Sequence, residues 1–471
     1  MASREKKLAK NTLFLMVGKI CTQCVSFFML PLYTAVLSTS DYGIADLIIT
    51  YISLFSPIIS LQFEQGLFRN LLDCRDDVKK QTELLSSVLF ANVFQLIIFT
   101  AFYVVLRTFV TSSLLVYLYV LIVLQVFQGT ILQFARGIDK TLIYTIASFI
   151  YAFTHVVGNV ILVGIIRIGL PGLLISMVIA GILSLIYLTL ELRIWNYINF
   201  RAYKKDELKS IALYSIPLIP NQLAWWVINV SDRTLVAYFL GTGANGIYSV
   251  ANKFSSMYIT FYNYFNMSWT ESVSISINDT DRDCFIHKMN NSFFNLLAAL
   301  CIGIIACMPF VFPILVNNNY AVAYNHIPIL MLAVFFQALQ GLYSAVYVAL
   351  KKTKEIAKTS FISAIINICI NILLIRFIGL YAASISTLVA FLAMCIYRYF
   401  DIKKYIKFRI LKRNIVIAAI VCSIACCAYY CGKTSIKVLA LIVVIFYSVV
   451  INKSMIHTIV IVLKKKIGRN R

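Results

Sequence analysis

A chain of 471 residues that is 61% hydrophobic and only 13% charged is too apolar for a soluble globular protein. Its 42 Lys and Arg against 19 Asp and Glu, net +23, could serve a nucleic acid, but the cations gather in alternate loops between long apolar runs. That placement excludes a nucleic-acid partner and indicates a polytopic protein of the lipid bilayer with both termini cytoplasmic.

A spanning helix needs about 20 apolar residues, and about fourteen such runs are present. The first is expected from Asn11 to Leu37 with Pro31 near its outer end, too long for a signal peptide and without a small-residue cleavage site. The second runs from Asp41 to about Gln65 and contains Pro57. A basic loop with Arg69, Arg75, Lys79 and Lys80 follows, then helices over Leu84–Leu106, Leu114–Phe134, Leu142–Ile166 and Leu173–Leu190. The basic linker Arg193–Lys209, with Arg201, Lys204 and Lys205, leads into Tyr214–Gly241. There Pro217 and Pro220 interrupt an apolar run, as in a broken helix whose freed carbonyls are satisfied by neighbouring helices or a water-filled cavity.

Helices eight to twelve are expected over Asn245–Trp269, Phe285–Val316, Ile327–Leu350, Ile356–Ile375 and Tyr381–Tyr399, and a strongly basic loop spans Arg398–Arg413. Two more, Ile415–Tyr430 and Val438–Ile451, precede a basic tail. The fold class is thus all-α, with about 14 transmembrane helices. Its organisation is read as an N-lobe over 1–200, a C-lobe over 201–410, and two extra helices with the tail over 411–471.

An internal repeat supports the two lobes. Leu37–Ala45, LSTSDYGIA, aligns with Leu240–Tyr248, LGTGANGIY, and Asn159–Gly172 aligns with Asn371–Ala382. Six helices separate equivalent positions, an even number, so the halves share one orientation and a path runs between them. The 12 cysteines show no metal-ligand spacing and are read as packing residues.

Charges inside membrane helices are costly and usually face a cavity, which singles out Lys19 and Lys253. Lys19 could instead snorkel to the interface. Asp232 beside Arg233 is either a structural ion pair or part of a cation site, and Asp46 is a solvated residue near the helix end, a proton site, a cation site or a counter-charge for Lys253. Glu64 and Arg69 read as gating or capping residues, and His155 as a packing residue. Trp225, Trp226, Tyr258, Tyr262 and Tyr264 are either packing aromatics or platforms for sugar faces.

The order of Pro217, Pro220, Asn221, Trp225, Asp232, Arg233 and Gly241 resembles the O-antigen and capsule repeat-unit flippases of the multidrug, oligosaccharidyl-lipid and polysaccharide (MOP) exporter superfamily. Pro31 before the Asp41–Gly43 corner and the run Asn371–Thr387 fit the same pattern. The resemblance implies a non-enzymatic flippase of the bacterial cytoplasmic membrane. It would move an undecaprenyl-diphosphate-linked glycan to the outer leaflet by alternating access, alongside polysaccharide polymerase machinery. For such a substrate the residues expected to make contact, from their charge or aromatic faces within the helices, are Lys19, Lys253, Asp46, Arg233 and Trp225, with the ammonium groups on the diphosphate. No cofactor is expected beyond a coupling Na+ or H+. Asp232, Asn367, Asn371 and Thr387 match the cation set of sodium-coupled relatives, with Asn371 where a second carboxylate often stands. The last two helices resemble a pair that forms a groove for a lipid tail. A lipid II flippase and a cation-coupled multidrug exporter are the alternatives within the superfamily. A polymerase or ligase is disfavoured, because the longest outer loop, Asn317–His326, carries no Asp, Glu, Lys or Arg.

Overall fold

A computed structural model describes residues 27–199, 202–453 and 457. Lys19, most of the expected first helix, Cys21, Cys24, Arg201 and nearly all of the basic tail lie outside the described residues. Every regular element among those described is helical. The chain divides into two compact units, Met1–Gly246 and Ile247–Arg471.

The first unit contains α1 (Leu30–Val36), α2 (Thr39–Ile59), α3 (Phe63–Leu71), α4 (Val78–Phe109), α5 (Leu114–Gly137), α6 (Thr141–Asn159), α7 (Leu170–Leu192), α8 (Lys205–Ser215), α9 (Leu218–Leu240) and the first turn of α10 (Thr242–Ser276). The second holds the rest of α10, then α11 (Arg282–Leu315), α12 (Ala323–Ala349), α13 (Thr353–Ile378), α14 (Tyr381–Ile402), α15 (Lys412–Tyr430) and α16 (Thr434–Ile451).

Twelve helical segments among the described residues are long and apolar enough to cross a membrane, with Lys205–Leu240 counting as one. Together with the exposed aliphatic surfaces of α4, α15 and α16 they make this a multi-pass membrane protein. Two of the fourteen expected spans are missing from that set for separate reasons. The first falls outside the described residues. The eighth, α10, is 35 residues long, about 52 Å at 1.5 Å per residue, but its many Ser, Asn and Tyr side chains keep its hydropathy down.

In the first unit α6 and α7 pack as a hairpin, α5 lies against α7, and α3 sits against α5 and α8. One end is tied by basic loops. Arg75 donates to the Gly137 carbonyl at 3.2 Å, the Arg136 guanidinium stands 4.4 Å over the Phe68 ring, and Lys204 pairs with Glu83 at 2.8 Å. In the second unit α12 and α13 flank α14, while α11 carries both α15 and α16. Segment 403–411 is laid along the start of α11 by bonds from Lys407 N to Asp283 and from Leu411 N to Asn291. Tyr324 and Tyr429 stack at 4.0 Å and exchange hydroxyl-to-carbonyl bonds of 3.0 and 2.6 Å, which fixes α15.

Pro217 caps α9 and separates it from α8, so the seventh helix is broken where its prolines predict. Pro220 falls in the first turn of α9, where the missing N–H has no intrahelical partner to lose. The second helix, expected to be continuous to Gln65, is also broken. Beyond Pro57, Leu61 (φ 51°) and Gln62 (φ 55°) adopt left-handed backbone, which ends α2 and starts α3 in a new direction.

The second repeat match is visible in the backbone. Gly169 (φ 76°) and Gly379 (φ 57°) turn the chain at equivalent corners, each preceded by an asparagine, Asn159 or Asn371, that is 0% exposed. The first copy is two residues longer between Asn and Gly, and there the helix widens into a π-helical turn over Val160–Ile165. A π turn is how a helix absorbs an insertion without losing its axis.

Candidate functional site

The first repeat match folds into a clasp within the first unit. Thr39 and Gly43 lie four residues apart on α2, and Thr242 and Gly246 four apart on α10, so each helix presents a small-xxx-small edge that permits close backbone approach. The contact is reciprocal. A Cβ on Gly43 would lie 1.9 Å from the Thr242 carbonyl oxygen, and one on Gly246 would lie 1.9 Å from that of Thr39. Only glycine fits at both positions.

Polar contacts complete the clasp. The Ser40 and Thr242 hydroxyls are 2.7 Å apart, and Asn245 Nδ2 donates to the Gly43 carbonyl at 2.9 Å and reaches Asp46 Oδ2 at 3.5 Å. Arg233 on α9 donates to Asp46 Oδ1 at 2.9 Å. Asp46 is buried and the Arg233 side chain is 22% exposed. Arg233 therefore bonds to Asp46, a partner in another helix. Trp226 Nε1 donates to the Thr50 carbonyl at 3.1 Å and seats α9 on α2, whereas Trp225 next to it is exposed.

A second feature of this unit is a polar cavity of about 380 Å3 among α2, α3, α5, α6, α7 and α9. Ser53, Ser56, Ser60 and Glu64 line it from the broken second helix, and Gln125, Tyr151 and Gln222 face it from α5, α6 and α9. Pro57 cannot donate to the Ser53 carbonyl four residues back, and the left-handed pair at Leu61 and Gln62 swings the start of α3 so that Glu64 joins this wall. Ser60 holds the break, accepting from Gln62 N at 3.2 Å through its hydroxyl and from Gln95 Nε2 at 3.4 Å through its carbonyl. Sequence reasoning marked Pro57 and Glu64 but missed the cavity that joins them to Gln125, Tyr151 and Gln222.

In the second unit Asn367 and Asn371 are fully buried on one face of α13, and Asn367 Nδ2 donates to Thr387 Oγ1 on α14 at 3.3 Å. Asn367 Oδ1 is buried with no hydrogen-bond partner, so this neutral amide and hydroxyl set keeps an oxygen in reserve. Asp232, the carboxylate read with them, is buried on α9 of the first unit. Lys253 lies on α10, partly exposed. Tyr258 and Tyr262 are buried, with the Tyr258 hydroxyl donating to the Leu297 carbonyl at 3.0 Å, so they pack the second unit.

Arg398, which falls both at the end of the expected twelfth helix and at the start of the expected basic loop, lies inside α14 and is 2% exposed. Its guanidinium donates to Thr359 at 2.9 and 2.6 Å, to the Ile356 carbonyl at 3.1 Å and to Ser360 at 3.2 Å, and also to Gln340 and Ser344. It clamps α12, α13 and α14 through neutral groups, which its planar fork can reach at once. An apolar cavity of about 400 Å3 lies beside α15, lined from α11, α12 and α15 by residues including Phe294, Phe335, Ala418 and Cys422.

Residues 8–270, more than half of the chain, match the family model described as polysaccharide biosynthesis protein. The chain belongs to that family. Members of it need not share an activity, and the fold narrows the class. The lipid II flippase MurJ in an inward closed conformation is similar with a TM-score of 0.70 at 17% identity, over 94% of this chain and 99% of that one. An inward-facing multidrug resistance MATE family transporter of the MOP superfamily gives 0.62 at 10% identity, over 81% and 95%. A MOP superfamily transporter from Pyrococcus furiosus, described as having a reversed binding-pocket polarity, gives 0.56 at 12% identity, over 84% and 96%. No curated protein matches the sequence. This polysaccharide biosynthesis family member therefore has the fold of the MOP superfamily.

Proposed function

We propose that the protein is a flippase of the bacterial cytoplasmic membrane. It moves undecaprenyl-diphosphate-linked oligosaccharide repeat units from the cytoplasmic to the outer leaflet by alternating access, for surface polysaccharide assembly. One observation carries the reading: a member of a polysaccharide biosynthesis family has the fold of membrane transporters over nearly its whole length. Assembly of surface glycans requires a lipid-linked unit to cross the bilayer, and that is a task for such a fold. On this reading both termini lie in the cytoplasm, an orientation that the placement of the basic loops supports.

Lys19 and Lys253 attract the diphosphate, and Trp225, the Asp46–Arg233 pair and the polar cavity beside α2 meet the glycan. The apolar cavity beside α15 suits a stretch of isoprenoid chain. The polymerase that extends the glycan is the expected partner. A lipid II-like precursor is the second reading, favoured by the TM-score of 0.70 to MurJ.

Deletion of the gene followed by analysis of the undecaprenyl-linked pool tests both. Accumulation of one lipid-linked repeat unit on the cytoplasmic face, with loss of surface polysaccharide, is expected. Accumulation of lipid II supports the second reading. Unchanged glycan with drug hypersensitivity rejects both in favour of a multidrug exporter.

A further inference from the structure

The loop that precedes α12 reads NNNYAVAYNH over Asn317–His326, amides and tyrosines without an acidic or basic side chain apart from the histidine, and none of the roles above uses it. Under the orientation proposed above it lies on the outer face. Asn317 accepts from the Asn319 N–H at 3.1 Å and closes a turn on which Asn318 and Asn319 are exposed. The consecutive residues Asn325 and His326, in the first turn of α12, then each meet a tyrosine from another helix of the second unit.

Tyr430, at the end of α15, donates its hydroxyl to the Asn325 carbonyl at 2.9 Å and sets its ring at 71° to that of Tyr429, 5.0 Å away. The Tyr430 ring is thus fixed at its hydroxyl and against one neighbour, yet 54% of the residue is exposed. Tyr381, the first residue of α14, packs its ring 4.5 Å from that of His326, whose Nδ1 lies 3.2 Å from the Ser384 hydroxyl, and is 39% exposed. The two tyrosines flank the start of α12, their hydroxyls within electrostatic reach of each other. A tyrosine that only anchors a helix at the membrane surface turns its polar tip to water and headgroups. The tip of Tyr430 is bound to the protein instead, which leaves its ring as the exposed part.

Charge and position narrow the partner. Over 301–350, 366–390 and 414–451 the chain has no Asp or Glu, while Arg376 in the last turn of α13 and Lys433 before α16 stand at this same end. Aromatic rings and neutral amides without a carboxylate suit a saccharide that carries phosphate. The apolar C–H face of a pyranose lies on a ring, its hydroxyls bond amides that both donate and accept, and the phosphate meets no like charge. The apolar cavity beside α15 is lined as far as Cys426, and Tyr430 follows four residues later, about 6 Å along the helix. An isoprenoid chain seated in that cavity has its glycan at the level of Tyr430.

We infer that Tyr381 and Tyr430, with Asn318 and Asn319, form a saccharide-binding surface on the outer face of the second unit, which holds the glycan of the lipid-linked unit after it has crossed. The inference rests on the transport reading above and adds a product site apart from the first unit.

The test uses the full-length chain in nanodiscs and, as probe, the soluble oligosaccharide released by mild acid from the lipid-linked pool of the host cells. Saturation-transfer NMR is expected to pass magnetisation from the protein to pyranose C–H protons. Tyr430→Leu and Tyr381→Leu are each expected to weaken binding about fivefold, the loss of one stacking platform. Tyr430→Phe, which gives up the bond to Asn325 but keeps the ring, and Tyr381→Trp are expected to retain most of the affinity. Unchanged binding in the double leucine variant makes the tyrosines membrane anchors only and overturns the inference, as does equal loss in Tyr430→Phe and Tyr430→Leu. Binding of the lipid II disaccharide in place of the released oligosaccharide, lost in the leucine variants, rejects the polysaccharide reading and leaves the saccharide surface standing. Binding of neither saccharide overturns the inference, while the undecaprenyl-linked pool of the deletion strain still decides the transport reading.

Discussion

Replacing Gly43 by alanine adds one methyl group at the tightest point of the α2–α10 clasp. The new Cβ would lie 1.9 Å from the Thr242 carbonyl oxygen and 2.8 Å from Gly246 N, both backbone atoms that cannot swing aside. Restoring an ordinary contact of about 3.4 Å separates the two helices by about 1.5 Å at that point. Overpacking costs about 1–3 kcal/mol. The shift also stretches the Asn245–Gly43 bond from 2.9 Å and the Ser40–Thr242 contact from 2.7 Å, each worth about 0.5–1.5 kcal/mol. The clasped state therefore loses about 2–6 kcal/mol, enough to change its population by tenfold or more. A cysteine at Ala45, which is 2% exposed in the clasped state, reports the change in a background without native cysteines. Labelling by a membrane-impermeant maleimide is expected to accelerate at least tenfold in Gly43→Ala, and Gly246→Ala to match it because the contact is reciprocal. Unchanged labelling in both variants, with helicity retained, would refute the steric argument.

Asp46→Asn strands the Arg233 guanidinium, and because that side chain is 22% exposed the loss is expected near 2–3 kcal/mol in a denaturant titration, below the range for a fully buried pair. The double variant Asp46→Asn with Arg233→Gln should recover part of it, and strict additivity of the two single losses would mean that the pair is not coupled. Arg398→Met leaves Thr359, Ser360 and Gln340 without their common donor and is expected to cost about 2–4 kcal/mol; Arg398→Lys should not rescue it, since an ammonium cannot span the same partners. Rescue by lysine in thermal unfolding would show that charge alone matters. At Gln62 (φ 55°) glycine relieves backbone strain whereas valine adds to it, so Gln62→Gly should equal or exceed the wild type in melting temperature and Gln62→Val should lose about 1–2 kcal/mol. A lower melting temperature for glycine than for valine would contradict this.

The parts legible in the sequence were those that backbone chemistry enforces. Apolar run length gave the spans, because the bilayer sets their minimum length. The break before α9 was visible because proline removes a donor wherever it stands inside a helix. The break after α2 was only half visible: Pro57 announces a bend, but the left-handed pair at Leu61 and Gln62 falls on residues with no preference for that region, so surrounding packing imposes it. The burial of Arg398 was hidden for a related reason. A basic residue at the end of an apolar run reads as a loop, and its hydroxyl and amide partners come from α12 and α13, 38 to 58 residues away.

The clasp shows where such reading stops. The match of LSTSDYGIA to LGTGANGIY picked out Thr39 and Gly43 with Thr242 and Gly246, the residues whose small size allows the reciprocal approach, so its steric half was written in the repeat. Its polar half sits where the repeats differ. Asn245 stands opposite Tyr42 in the alignment and Asp46 opposite Ser249, and it is Asp46 that accepts from both Asn245 and Arg233. Duplication supplies a symmetric backbone contact, and divergence then places one buried charge pair on one side of it. A charge pair held by a symmetric, tightly fitted crossing resists partial opening, because separating the glycines also strips Asp46 of Asn245. Loss of the two contacts should therefore be cooperative: Gly43→Ala and Asp46→Asn combined should weaken the clasped state by less than the sum of the single effects, since either change alone already releases the other contact.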